Sequence, residues 1–167
     1  MINLASREVF VFAGLLAAPA IGGMAEHRVP GRPAPPPDTR IARLRQFFAE
    51  RACPIESLAP EFIAAADENA LDWRLLPSIA FVESGGGKDY RNNNIFGWDS
   101  GQKEFPSVRA GIRTVAARLG TSRLYRDKDV DGILTTYNPD PAYGGRVRAV
   151  METLGSADVA AAVHVLN

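Results

Sequence analysis

One carboxylate in this chain sits where a carboxylate can do acid–base chemistry. Glu83 closes the apolar run Leu75-Leu76-Pro77-Ser78-Ile79-Ala80-Phe81-Val82 and is followed by Ser84 and then Gly85-Gly86-Gly87. If that run is a helix, Glu83 falls four residues after Ile79 and three after Ala80, on their apolar face. The negative end of the helix dipole and partial burial would both disfavour the charged form and raise its pKa. A carboxyl still protonated near neutral pH can give its proton to a leaving oxygen, which is the general-acid step of glycoside cleavage. The three glycines allow backbone or a bulky ligand to come close. The ordinary alternative is a glutamate in solvent, or one gripped by an arginine. The latter is a real competitor in a chain with sixteen arginines against three lysines.

Two further clusters bear on the same chemistry. Asn92-Asn93-Asn94-Ile95-Phe96-Gly97-Trp98 places amides and aromatics just after the glycines. Amides hydrogen-bond sugar hydroxyls and N-acetyl groups, and aromatic faces stack on sugar rings. Equally, asparagines shape turns while Phe96 and Trp98 fill a core. Tyr137-Asn138-Pro139-Asp140-Pro141-Ala142-Tyr143 is the third cluster, in which two prolines stiffen a loop able to aim Tyr137 into a cleft. Other chemistries have little to work with. The chain has two histidines, His27 and His164, near its ends, and one cysteine, Cys53. That argues against a disulfide, a thiolate or His-rich metal site, and a Ser–His or Cys–His nucleophile. No metal-ligand cluster or phosphate-binding glycine motif appears, and no cofactor is expected.

These clusters need a scaffold. The 167 residues suit one domain with an appendage; 46% are hydrophobic and 23% charged. Basic and acidic side chains balance at 19 each, which argues against nucleic acid or an anionic membrane surface as a partner. Residues 9–25 are almost wholly apolar and end on Gly23-Met24-Ala25, the pattern of a cleaved export signal over residues 1–25. An uncleaved anchor is the alternative, and it would be the chain's one contact with a membrane. Either way the rest is expected outside the inner membrane, periplasmic or secreted. Residues 26–38 are Pro-rich and read as a linker. The folded domain is expected over residues 39–155, with residues 156–167 an unassigned tail.

Within the domain the periodicity is helical. Asp38 or Thr39 can cap a first helix with the stripe Ile41, Leu44, Phe48. A second is expected from Pro60 to about Ala70, and a third from about Trp73 to Ser84 capped by Asp72. Val108, Ile112, Val115 and Leu119 mark a fourth. Residues 130–137 suit a fifth, and Tyr143, Val147, Val150, Met151 and Leu154 mark a last. Residues 92–105 lack helical period, and residues 98–105 read as a short hairpin turning at Ser100-Gly101 or as an irregular loop. The fold class is therefore mainly α.

Taken in order, the clusters resemble the glucosaminidase domain family, cell-wall hydrolases of the lysozyme-like superfamily. The likeness runs from about Leu75 to Leu154 and rests on Ala80-Phe81-Val82-Glu83-Ser84-Gly85 with Gly87-Lys88, on Asn93-Asn94-Ile95-Phe96-Gly97, and on Asp140-Pro141-Ala142-Tyr143 with Val147. The resemblance implies a lysozyme-like helical domain in which Glu83 is the general acid. It implies that Asn93, Asn94, Phe96 and Gly97 shape a glycan cleft, joined by Trp98 and Tyr143 as substrate contacts, and that Tyr137 faces Glu83. The implied activity is endo-β-N-acetylglucosaminidase cleavage of peptidoglycan glycan strands. Hydrolysis needs a second group, as base or nucleophile. Asp99 and Glu104 are the equal first candidates, with Asp89 behind them. If none serves, one acid with Tyr137 remains, as in lytic transglycosylases, which use the substrate's own 6-hydroxyl. A non-catalytic glycan-binding domain on the same fold is the alternative from another class.

Overall fold

Asp38 opens the first helix as its side chain allows, its carboxylate accepting the Arg40 backbone N–H at 2.9 Å. The computed structural model describes residues 37–155. The export segment, the linker up to residue 36 and the tail from residue 156 lie outside the described residues. Helix α1 (Thr39–Glu50) buries Leu44, Phe47 and Phe48. A 3-10 turn (Glu56–Leu58) leads into α2 (Ala59–Glu68), with Pro60 in its first turn where no N–H is needed. Helix α3 is Leu75–Ser84, α4 is Val108–Thr121, α5 is Val130–Tyr137 and α6 is Pro141–Leu154. The described residues are mainly helical, and none of them forms a strand. No helix among them is long and apolar enough to cross a membrane.

The helices form where the sequence periods place them because each apolar stripe finds a partner. Ile112, Val115 and Leu119 of α4 are buried, and α4 packs on α2. Tyr143, Val147, Met151 and Leu154 of α6 are buried, and α6 packs on α3 and α5. Ser107, Asp129 and Asp140 cap α4, α5 and α6 through their side chains. Helix α3 starts at Leu75 rather than near Trp73, because the Asp72 carboxylate takes the Arg74 backbone N–H at 3.0 Å and its guanidinium at 2.9 Å. Leu75, Leu76, Pro77, Ser78, Ile79 and Ala80 are all buried, so α3 is enclosed nearly all round. Phe48, Phe62 and Phe96 are fully buried and meet in series, Phe48 to Phe62 at 5.8 Å and Phe62 to Phe96 at 6.4 Å between ring centroids. Truncating Phe62 to alanine there would cost roughly 3–5 kcal/mol.

The hairpin expected over residues 98–105 does not form, and the irregular loop does. Asn94 is the reason. Its buried amide accepts the Trp98 N–H at 3.0 Å and donates to the Trp98 carbonyl at 2.9 Å and the Lys103 carbonyl at 3.1 Å. The backbone groups a strand ladder would use are thereby taken by one side chain. Asp99, Ser100 and Gly101 follow at φ of 55°, 52° and 77°, three left-handed residues in succession that no strand tolerates.

Candidate active site

Glu83 occupies the last turn of α3, and the chain turns away from it at once. Gly85 ends the helix at φ 62°, its N–H donating to the Phe81 carbonyl at 2.9 Å, and Gly86 N–H reaches back to the Ala80 carbonyl at 3.3 Å. Ser84 Oγ locks the turn, donating to the Ala80 carbonyl and accepting the Gly87 N–H. The glycines are required by the protein's own packing rather than by a ligand. A β-carbon on Gly86 would lie 2.5 Å from Cys53 Sγ, so the loop after α1 presses directly on the turn.

Glu83 does not share the burial of Ile79 and Ala80, as its spacing predicted. The residue is exposed, because the groove opens on its side of the helix, and only the carboxyl end is crowded. Gly97 meets that end, and Tyr143 faces it. Desolvation there raises the Glu83 pKa above the usual 4.5, while Tyr143 and the charge of Arg146 push back. Glu83 makes no ion pair among the described residues; Arg146 pairs with Asp140 at 3.2 Å. The arginine-gripped alternative is not what the structure holds.

Tyr143, not Tyr137, turns its hydroxyl to Glu83, and neither tyrosine lines the Glu83 groove. Tyr137 donates its hydroxyl to the Phe96 carbonyl at 2.5 Å, so that group is committed to the loop. Its ring stacks on Tyr143 at 5.9 Å between centroids and 7° between planes. Tyr143 is only 1% exposed and cannot lie against a sugar. Its buried hydroxyl makes no hydrogen bond in this structure, and the carboxyl it faces is that of Glu83. Burial, aided by the Glu83 charge, holds both phenols well above their ordinary range, so both stay protonated and able to donate.

The amide block builds the site more than it touches it. Asn94 is buried and engaged as described, and Asn93 donates to the Phe105 carbonyl at 2.8 Å. Phe96 is fully buried. Their hydrogen bonds and packing are spent on folding the loop, and of the three only Asn94 lines the groove beside Glu83. Gly97 does reach the site. At φ 61° it lies against the Glu83 carboxyl, and a β-carbon there would stand 2.8 Å from Oε2.

Glu83 lines a groove of about 450 Å³. Asp89 lines it too, whereas Asp99 lines a different cavity and Glu104 lines neither. The order expected of the second carboxylates is thus reversed: Asp89 is the one placed with Glu83. Trp98 also lines the other cavity. Besides Glu83 and Asp89, the groove's exposed lining residues are Tyr90, Arg91, Asn92, Ser100 and Gln102, none of them among the expected site residues. Tyr90 is 44% exposed, and such an aromatic just past the glycines was the signal that could have found it. An acid with a raised pKa, beside an exposed aromatic and the exposed amides of Asn92 and Gln102 in a groove, can bind a polyhydroxylated chain and protonate one of its oxygens. No group of three or more His, Cys, Asp or Glu is placed to hold a metal ion among the described residues. No family model, no curated protein and no solved structure matches the chain.

Proposed function

We propose that the protein cleaves β-1,4 glycosidic bonds in the glycan strands of peptidoglycan, with Glu83 as the general acid. The observation that carries the reading is the Glu83 carboxyl, desolvated between Gly97 and Tyr143 at the edge of an open groove. Protonated, it donates to the glycosidic oxygen as the bond to the anomeric carbon breaks. Tyr143 then steadies the carboxylate left behind, its hydroxyl having no other partner. Hydrolysis of the endo-β-N-acetylglucosaminidase type takes Asp89 as the second carboxyl, on water or on the sugar. On this reading the N-terminal segment directs export to the compartment that holds the polymer.

A second reading, a lytic transglycosylase with the same acid, is favoured by the absence of Asp99 and Glu104 from the Glu83 groove. Purified sacculi incubated with the wild-type chain and with Glu83→Gln test both. Glu83→Gln is expected to cut release of soluble fragments about 10²–10⁴-fold. Mass spectrometry of the wild-type digest assigns the chemistry: reducing N-acetylglucosamine ends mean hydrolysis, and anhydro-muramyl ends mean transglycosylation. Sacculi bound but not degraded by the wild type would sink cleavage and leave a binding domain.

A further inference from the structure

The turn of residues 97–100 divides two hollows. Glu83 lines one. The other holds about 520 Å³, and its chemistry is different. Its wall is aromatic: Trp98 lies 6.4 Å from Tyr125 and 5.5 Å from Tyr137 between ring centroids. Lys103 and Arg118 bring two cations to it. Two other arginines of α4, Arg109 and Arg113, lie on another face of the helix and are engaged by Glu61. Lys103 and Arg118 make no ion pair and no side-chain hydrogen bond among the described residues. Both are anchored where they stand. The Lys103 carbonyl is held by Asn94 at 3.1 Å, and Arg118 rides on the packed helix α4. Asp99 is the one acid of the cavity, so the excess is a single positive charge, which suits a carboxylate better than a dianion such as phosphate.

We propose that this cavity is a subsite for the peptide stem of peptidoglycan, a free stem carboxylate lying between Lys103 and Arg118 and the stem's chain against Trp98 and Tyr125. The inference rests on the proposed function, because it extends the same substrate. Gly97 and Ser100 line both hollows, so a strand laid along the Glu83 groove can pass a substituent over the turn into the cavity. A guanidinium and an ammonium in one cavity can grip a carboxylate while an aromatic wall covers the hydrocarbon attached to it.

The test measures binding apart from catalysis. The full chain carrying Glu83→Gln is titrated calorimetrically with a soluble N-acetylglucosaminyl-N-acetylmuramyl peptide and with the same disaccharide lacking the peptide. The titrations are repeated with Lys103→Ala and Arg118→Ala added. The two substitutions are expected to weaken muropeptide binding about tenfold, less at high salt, and to leave disaccharide binding unchanged. Equal muropeptide affinity with and without them overturns the subsite. So does an equal loss for the peptide-free disaccharide, which would make its lactyl carboxylate the group gripped, and so does no muropeptide binding at all. The subsite and the cleavage reading fail separately. Sacculi left intact by the wild type, with the peptide-dependent difference in affinity present, remove cleavage alone. Digestion with no such difference removes the subsite alone.

Discussion

The Glu83 carboxyl rests against Gly97, so closely that a β-carbon on Gly97 would stand 2.8 Å from Oε2. Helix α3 and the loop that follows it are thus joined at the one acid with a raised pKa in the groove. The loop positions the carboxyl by leaving out a side chain.

Gly97→Ala should therefore damage activity more than stability. The glutamate end can swing away from the new methyl, so the clash itself is mild. What remains is the strain of an alanine at φ 61°, about 1 kcal/mol. Thermal unfolding should fall by only a few degrees, while sacculus digestion should drop about tenfold or more as the carboxyl is moved off its position. Near wild-type digestion would show that the contact does not position the acid.

The raised Glu83 pKa fixes two pH dependences. A general acid works while protonated, so cleavage should fall as pH rises through a midpoint above 4.5. For stability the native state holds the proton more tightly than the unfolded chain. Stability from this group is present below about pH 4.5 and is lost as pH rises through the native pKa. Glu83→Gln should thus melt above wild type near neutral pH, and the gap should close on acidification below pH 4.5. A gap that widened toward acid would reverse the sign and exclude a raised pKa.

Tyr143→Phe tests the partner. The buried hydroxyl faces the Glu83 carboxyl without a formed hydrogen bond, so its removal should cost little stability where Glu83 is protonated and slightly more where it is ionised. Tyr143 holds the Glu83 pKa down against desolvation. Without it the alkaline limb of the activity profile should move to higher pH. An unmoved limb would show that the hydroxyl does not act on the acid.

The helices were legible because each announces itself by period and cap. Ile112, Val115 and Leu119 face inward as spaced, and Asp38 caps α1 by its own carboxylate. Glu83 was legible by its place after an apolar run. The loop was not, since it is ordered by Asn94 holding Trp98 and Lys103, a pattern with no period to read. That is why a hairpin was expected, and why Asp99 ranked ahead of Asp89. Tyr143 carried a readable conflict: its place in the stripe with Val147 and Met151 already marked it as core, against a role in touching substrate. Which of two stacked phenols turns its hydroxyl to the acid depends on helix packing, and spacing along the chain is silent on that.

Asn94→Ala should unfold the loop's order locally and weaken the whole. It strips hydrogen bonds from the Trp98 N–H, the Trp98 carbonyl and the Lys103 carbonyl at a buried position, a loss of roughly 2–4 kcal/mol. Denaturant titration should show the loss, and both hollows should suffer because Gly97 and Ser100 line each. Asn94→Asp keeps the acceptor for Trp98 but sets a buried carboxylate oxygen against the Trp98 and Lys103 carbonyls, so it should be no more stable than Asn94→Ala. Wild-type stability in Asn94→Ala would mean the amide does not hold the loop.

Glu61 gives an asymmetric prediction away from the site. Its side chain is buried between α2 and α4, where Arg109 and Arg113 reach it from exposed positions. Removing both arginines strands a charge inside the protein, whereas removing the glutamate frees two cations already near water. Arg109→Ala with Arg113→Ala should therefore lower the melting temperature well below that of Glu61→Met, which keeps the volume and needs no partner. Adding Glu61→Met to the double variant should restore part of the loss, a non-additivity that a purely packing role for the arginines would not produce. Equal melting temperatures for Glu61→Met and the arginine pair would show that the triad holds α2 to α4 by contact alone.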